Sequence, residues 1–421
     1  MDERRGLDKI QWATAHMPLC GQIAKEFAEA RPLAGRRIAM SIHLEAKTAR
    51  LAILLRDAGA RVWVTGSNPL STQDDVAAAL AREEGVTVRA RHGVSAEEYR
   101  EHIHAVAGAR PDLVLDDGGD LVAALHEGNP DGVVGGCEET TTGVLRLRRL
   151  AALKRLAFPM FAVNDTPMKR LFDNRHGTGQ SVWDALMRST NLLVAGKRVV
   201  IGGYGECGRG IADRARGLGA HVTVCEVDPV KALEAVMCGL TVAPMVEAIR
   251  HADIVVTATG DVDVVSADAL AAARDGVLLA NAGHFNVEVN LAALSAMATS
   301  RRFVRPGVEE VTFADGRRVF LLAEGRLVNL ALGDGHPVEI MDLSFALQAL
   351  TLRHIAASAP LPPGVYDVPE SVDRDVAGRK LAALGLRIDS LTPGQREYLG
   401  MGVDVGTPRD GGTMRARRGE S

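Results

Sequence analysis

The sequence is poor in aromatic residues, which make up 4% of 421 positions, and it has little net charge: 49 lysines and arginines against 53 aspartates and glutamates leave −4. Without a basic surface or stacking side chains a chain has no means of gripping a polyanion, so no nucleic acid partner is expected. No run of 18 apolar residues occurs, so neither a membrane-spanning helix nor a membrane partner is expected. The opening residues, Met1 to Arg5, lead into a polar amphipathic stretch instead of the apolar core of a signal peptide, which predicts a cytoplasmic protein. The five cysteines, Cys20, Cys137, Cys207, Cys225 and Cys238, are odd in number, scattered, and lack CxxC or Cys/His ligand spacing. Neither disulfides nor a metal site is expected.

Glycine is abundant, and its placement carries the most information. Gly203-Tyr204-Gly205-Glu206-Cys207-Gly208 follows the apolar run Arg198-Val199-Val200-Ile201 and precedes a helical stretch, and a second run, Val222-Thr223-Val224-Cys225, ends in Glu226. Strand, glycine turn, helix, strand and acid in this order form a dinucleotide-binding fingerprint. One glycine makes the tight turn, one lets backbone approach a pyrophosphate, and one permits close packing of helix on strand. Glu226 is placed to accept hydrogen bonds from a ribose diol and to repel a 2′-phosphate, which selects NAD over NADP. Further strands are predicted at Asp253 to Thr257 and Gly276 to Ala280, as a doubly wound sheet requires.

With 47% apolar residues the chain can bury two cores. A second series of short apolar runs lies at Arg37 to Met40, Val62 to Val64, Val86 to Val88, Leu113 to Leu115, Val133-Val134 and Phe161 to Val163, separated by alanine-rich helical segments. Their ends carry His43 and Glu45, Asn68 to Asp74, Asp116 to Asp120, Glu138 to Thr142, and Asn164-Asp165. Ligands of open α/β sheets sit beyond such carboxyl ends, although helix caps and Asx-turns account for any one cluster alone. Lys169 and Asp173 follow at i, i+4 spacing, one face of a helix and compatible also with a surface ion pair. Beyond Gly335-His336-Pro337, an apolar helix over Ile340 to Ile355 is expected to return to the first domain, and the glycine-rich, basic stretch from Gly402 reads as a frayed end.

These strings resemble the S-adenosylhomocysteine hydrolase family, from about Gly6 to Gly402. The likeness is carried by Ser71 to Asp74, Leu115 to Leu121 (LDDGGDL), Glu138 to Val144 (EETTTGV), Lys169 to Asn174, Gly203 to Gly210, Asn281 to Phe285 (NAGHF), Leu321 to Leu330 (LLAEGRLVNL) and Tyr398 to Met401. The resemblance implies an α/β protein of two hinge-linked doubly wound domains. The expected division is a substrate domain at residues 1–175 and 336–385, a Rossmann NAD domain at 176–335, and a C-terminal oligomerisation tail at 386–421. A homotetramer is implied, with NAD oxidising the ribose C3′ and later restoring the hydroxyl.

The same resemblance assigns roles. Lys169, beside Asp173, is the base for the 3′-hydroxyl, which requires an amine whose pKa is lowered by burial or neighbouring cations. Glu139 holds the ribose hydroxyls, Asp117 and His43 move protons around C4′ and C5′, and His284 and His336 line the same cleft. Glu45, Lys47, Asp120, Asn164, His336, Met341 and Phe345 make up the expected substrate contacts. Gly203, Gly205, Glu206, Cys207, Gly208, Glu226, Asn174, Thr140, Thr141, Thr142, Asn281 and Asn329 make up the cofactor contacts.

The sequence departs from the adenosyl members where they read His-x-Thr-x-Glu, for here it reads His43-Leu44-Glu45-Ala46-Lys47. Glu for Thr and Lys for Glu invert the hydrogen-bond pattern offered to the base, and hypoxanthine has the inverted edge, an N1–H donor and an O6 acceptor. Lys47 donates to O6 and Glu45 accepts from N1–H in this reading, whereas adenine leaves both charges unpaired, a mismatch worth a factor of about 10⁴. The string is similar to that of the S-inosylhomocysteine hydrolases. Alternatively, Glu45 and Lys47 are solvated helix residues and the base is read elsewhere. His176 stands where the family has Tyr, Asp75 where it commonly has His, and Val338-Glu339 where it has Ser-Phe, and the C-terminal Lys and Tyr-Arg-Tyr motif is missing. These departures leave two further readings open: a paralog that eliminates water or epimerises at C4′/C5′ of a nucleoside, and an inactive NAD-binding regulator.

Overall fold

A computed structural model describes residues 2–401. The first half of the chain supplies β1 (Arg37–Ser41), β2 (Arg61–Thr65), β3 (Val86–Val88), β4 (Leu113–Asp116), β5 (Gly135–Glu138) and β6 (Pro159–Ala162). The second supplies β7 (Arg198–Gly202), β8 (His221–Cys225), β9 (Thr241–Val242), β10 (Ile254–Thr257), β11 (Val277–Asn281), β12 (Ala298–Arg305), β13 (Val308–Phe313) and β14 (Arg318–Leu322), and β15 (Gly364–Tyr366) comes last. They form two sheets, a seven-stranded one in the order β15-β6-β5-β4-β1-β2-β3 and an eight-stranded one in the order β12-β13-β14-β11-β10-β7-β8-β9.

Helices cover both faces of each sheet, so alternate residues of one strand enter different cores. In the first sheet Ile38, Met40, Leu113 and Leu115 pack into one core while Ala39 and Val114 pack into the other. In the second, Val199, Ile201, Ile254 and Val256 face one side and Val200 and Val255 the opposite side. The helix Val338–Ala357 buries Leu343, Phe345, Leu347 and Leu350 in the first-sheet core, so the chain returns to that domain after the second sheet is complete. The helix Thr178–Thr190, in contrast, sends Val182, Trp183 and Leu186 into the second-sheet core.

Three features differ from the periodicity reading. The strand expected at Val133-Val134 lies two residues later, at Gly135–Glu138, where a β carbon on Gly136 would stand 2.6 Å from the Val114 carbonyl oxygen. Close approach of neighbouring strands selects glycine there over the β-branched residues that mark strands elsewhere. The second sheet ends in the antiparallel ribbon β12-β13-β14. Finally, Lys169 and Asp173 do not share a regular helix. Lys169 closes a short turn, Pro167–Lys169, and residues Arg170–Gly177 form a π-helix, a winding concentrated at functional sites.

All five cysteines are free thiols, and no described helix is long and apolar enough to cross a membrane. Residues 386–401 of the expected tail are solvent-exposed, and the stretch read as frayed, from Gly402, lies outside the described residues.

Candidate active site

The parallel register aligns Ser41 of β1 with Thr65 of β2 and Asp116 of β4, and Asp116 with Glu138 of β5, so the polar strand ends share one edge. Ala282, His284, Leu327, Asn329, Leu330 and Gly335 of the second domain and His336 of the linking segment face that edge, and the two sides line one cleft.

Two titratable clusters stand in this cleft. In the first, Asp117 accepts from Ser67 Oγ at 3.1 Å and lies 3.2 Å from His43 Nε2 and 3.7 Å from His284 Nδ1. Burial, opposed by Asp117 but reinforced by His284 and His336, pushes the His43 pKa down to about 4. On the other side of the ring His43 Nδ1 lies 2.8 Å from the Ser71 hydroxyl, which in turn donates to the Asn68 carbonyl at 3.1 Å. His284 comes from the loop after β11, so the cluster spans both domains. Its ligand-type atoms lie within 4.8 Å of one another, a set that could also hold a divalent cation.

In the second cluster Lys169 Nζ donates to Asn174 Oδ1 at 2.7 Å and lies 3.4 Å from Asp173 Oδ1 and 3.6 Å from Glu139 Oε1. The amine was expected to have a lowered pKa. Burial does act that way, but Asp173 and Glu139 outweigh it and raise the pKa, so the ammonium is charged. Burial would raise Asp173, yet Lys169, His336 and the Ser344 hydroxyl hold it well below the usual carboxylate range. Burial dominates at Glu139 and raises its pKa well above the ordinary value despite Lys169. The trio therefore holds an ammonium against the Asp173 carboxylate, with the Glu139 carboxyl group beside them. His336 Nδ1 lies 2.8 Å from Asp173 Oδ1, linking the segment between the domains to the cluster.

The glycine turn is built as the fingerprint requires. Gly203 has φ +95°, and a β carbon on Gly208 would stand 2.0 Å from the Gly203 carbonyl oxygen, whereas Gly205 opens onto empty space where a ligand can meet backbone. Glu226 is fixed at the end of β8 by accepting from the backbone N–H groups of Tyr204, Val227 and Asp228. Burial would raise its pKa, but these bonds lower it, and the group is ionised. Buried atoms of cleft residues also remain without partners, among them Asn329 Oδ1, His284 Nε2 and Glu139 Oε1. An open glycine cradle, a fixed acid and orphaned polar atoms fit a bound dinucleotide beside a hydroxylated substrate.

Glu45 and Lys47 lie at the far end of the cleft, on the first turn of the helix Ala46–Asp57. Glu45 is the N-cap and accepts from the backbone of Lys47 and Thr48, while Lys47 Nζ is 2.8 Å from Glu45 Oε2 and donates to the Asp334 carbonyl at 2.8 Å. Both are buried, which removes the solvated-helix alternative, but they neutralise each other instead of standing free.

Met341, Phe345, His336, Thr140, Asn174, Cys207 and Asn329 also line the cleft. Other expected contacts do not. Asp120 is held by Arg146 at 2.7 Å and by the Tyr99 hydroxyl at 3.0 Å. Asn164 stands behind the cleft, accepting from Asn174 and donating to Thr141 Oγ1. Asn281 spends its amide on the carbonyls of Gly283, Phe285 and Gly325, so it shapes the loop that carries His284. Glu206 pairs with Arg170 and Arg209. Thr142 leaves its hydroxyl unpartnered, and its methyl would meet a β carbon on Gly260 across the domain boundary at 2.9 Å.

Four supporting residues complete the site, of which Ser71 and Glu138 belong to the sequence motifs and Ser344 and Gln348 do not. Ser344 donates to Asp173 and Gln348 to Glu139, Ser71 serves His43, and Glu138 accepts from the backbone N–H groups of Gly118 and Thr140. Ser344 and Gln348, polar residues four apart on the buried side of the helix Val338–Ala357, were the available signal.

Residues 2–134 match the family described as S-adenosyl-L-homocysteine hydrolase and residues 174–335 match its NAD binding domain. The chain is 55% identical over 395 residues to the adenosylhomocysteinase of Thermotoga maritima, covering 93% of this chain and 98% of that one. It is 52% identical over 400 residues to the S-inosyl-L-homocysteine hydrolase of Methanopyrus kandleri, covering 94% of each. It is also 52% identical over 398 residues to the adenosylhomocysteinase of Archaeoglobus fulgidus, covering 94% of this chain and 98% of that one. The chain belongs to the S-adenosyl-L-homocysteine hydrolase family and is an NAD-dependent hydrolase of the adenosylhomocysteinase type.

Proposed function

We propose that the protein converts an S-(purine nucleosidyl)-L-homocysteine to nucleoside and homocysteine, by oxidation at C3′ and proton abstraction at C4′, and that it takes the S-inosyl form in preference to the S-adenosyl form. The observation that supports this best is the pairing of two titratable clusters across one cleft, Lys169–Asp173–Glu139 beside His43–Asp117–His284.

NAD, when bound, supplies a hydride acceptor that later gives the hydride back. Glu139, whose Oε1 has no hydrogen-bond partner, is placed to hold a ribose hydroxyl. Lys169 accepts the 3′-hydroxyl proton once its own charge has been passed on, and Asp173, bridged to His336, gives that proton a route out. The charged form suits the closing reduction, in which the ammonium donates to the 3′-carbonyl oxygen. Between these steps the ketone acidifies the C4′ proton. Asp117 and its two imidazoles take that proton, deliver one to the departing sulfur, and activate the water that adds at C5′.

The base preference is supported by Lys47. Its ammonium has three N–H groups, of which Glu45 and Asp334 take two, and the third is free for a purine O6. Because Glu45 and Lys47 neutralise each other, adenine leaves one donor unmatched and not two bare charges. The discrimination shrinks from about 10⁴ to the value of one hydrogen bond to a charged group, about 1.5–3 kcal/mol or roughly 10–150-fold.

The test is chromatography of reactions containing protein, NAD and either S-inosyl- or S-adenosylhomocysteine, scored for nucleoside and thiol. Inosine release at least tenfold ahead of adenosine is expected. Faster adenosine release overturns the preference, and silence on both overturns the reaction.

A further inference from the structure

Two cavities meet at the Glu45–Lys47 pair. Beside the active-site cleft lies an open groove between the helix Glu3–Ala15 of the first domain and the helices Thr178–Thr190 and Glu206–Gly217 of the second. Glu45, Lys47, Gly335 and His336 line both spaces. The wall between them is therefore two flexible side chains and one turn of linking backbone, drawn together by the Lys47 bond to the Asp334 carbonyl. On the groove side stand Ala46, Met187, Leu218 and Trp12. Trp12 is 66% exposed, although its helix buries Ile10 and Ala13.

We propose that this groove is a subsite for a substituent on position 6 of the purine, so that the enzyme binds 6-alkoxy- and 6-aryloxypurine nucleosides as well as hypoxanthine. The proposal rests on the base assignment above. A purine whose O6 meets Lys47 directs anything attached to that oxygen past the wall and into the groove. An ether oxygen still accepts from the Lys47 ammonium. The proton lost from N1 is not missed, because the Glu45 carboxylate is already occupied by the backbone of Lys47 and Thr48 and by Lys47 Nζ. A lysine side chain has the freedom to shift as the substituent passes, and an aromatic substituent meets an exposed indole on which it can stack.

The NAD-loaded protein is titrated calorimetrically with inosine and with 6-benzyloxypurine riboside while tryptophan emission is followed. Of three tryptophans, Trp12 is the exposed one and Trp183 is only 2% exposed. Both ribosides are expected to bind, the benzyloxy compound within threefold of inosine or tighter, and it alone should change the exposed-tryptophan emission. Trp12→Phe should abolish that change. Met187→Trp, which narrows the groove, should weaken the benzyloxy compound at least tenfold relative to inosine. Inosine binding with the benzyloxy compound a hundredfold weaker, or bound without moving Trp12 emission, overturns the groove and leaves the base assignment standing. Failure of both ribosides to bind overturns the base assignment and the groove together.

Discussion

Exchanging Glu45→Thr together with Lys47→Glu should reverse the base preference. In the wild type one ammonium N–H remains for O6 after Glu45 and Asp334 have taken the other two. Losing it costs the inosyl substrate about 1.5–3 kcal/mol, roughly 10–150-fold in kcat/KM. The exchanged pair offers a hydroxyl donor and a carboxylate acceptor, which gives the adenosyl substrate a gain of similar size. The ratio of the two kcat/KM values should therefore shift by about 10²–10⁴. The fold tolerates the change locally, because threonine still caps the helix and a glutamate in its first turn suits the helix dipole. The bond to Asp334 is lost, however, so some decrease in kcat on both substrates is expected. The assay is nucleoside release from each thioether by wild type and variant under identical NAD loading. A ratio that moves by less than threefold would refute the assignment of this pair to the base.

Gly118→Ala places a β carbon 2.3 Å from His284 Nε2 at a residue with φ +109°, so kcat should fall about 100-fold through misplacement of the imidazole, with NADH affinity, measured by fluorescence titration, within threefold of wild type. His43→Asn should change how stability depends on pH. With the pKa depressed from 6.5 to about 4, the unfolded chain binds the extra proton, so the contribution is present above pH 6.5 and lost as pH falls towards 4. Over that window urea unfolding should show wild type losing up to about 3 kcal/mol more than the variant. Glu226→Ser removes the charge facing a 2′-phosphate and also a fixed acceptor for Tyr204 N–H; the preference for NADH over NADPH in the same titration should fall at least tenfold while NADH itself binds about tenfold more weakly.

The fold was legible because its signals are local. Glycines at 203, 205 and 208 answer to turn geometry and close approach, and the two-residue period of β1, β4, β7 and β10 sends alternate side chains into different cores. Gly135-Gly136 escaped that reading because a tightly packed central strand wants no side chain where the β-propensity rule looks for a branched one. The catalytic groups were legible as polar strand ends and as family strings, but their partners were not. Ser344 and Gln348 reach Asp173 and Glu139 from a helix about 170 to 210 residues further along the chain. The charge state of Lys169 was misread for a related reason, since burial alone lowers an amine and only the packed structure shows two carboxyl groups against it. Asp120 and Asn281 had looked like ligand contacts because their strings carry the family likeness, yet their side chains hold loops in place.

The most direct test of the central claim, that one cleft couples oxidation at C3′ to proton transfer at C4′, is rapid mixing of the NAD-loaded protein with S-inosylhomocysteine while reduced nicotinamide and free thiol are followed together. Reduced nicotinamide should appear before the thiol and decay as inosine is released, and Lys169→Ala should abolish the rise. Thiol release with no reduced-nicotinamide transient, or at an equal rate from NAD-free protein, would contradict the account.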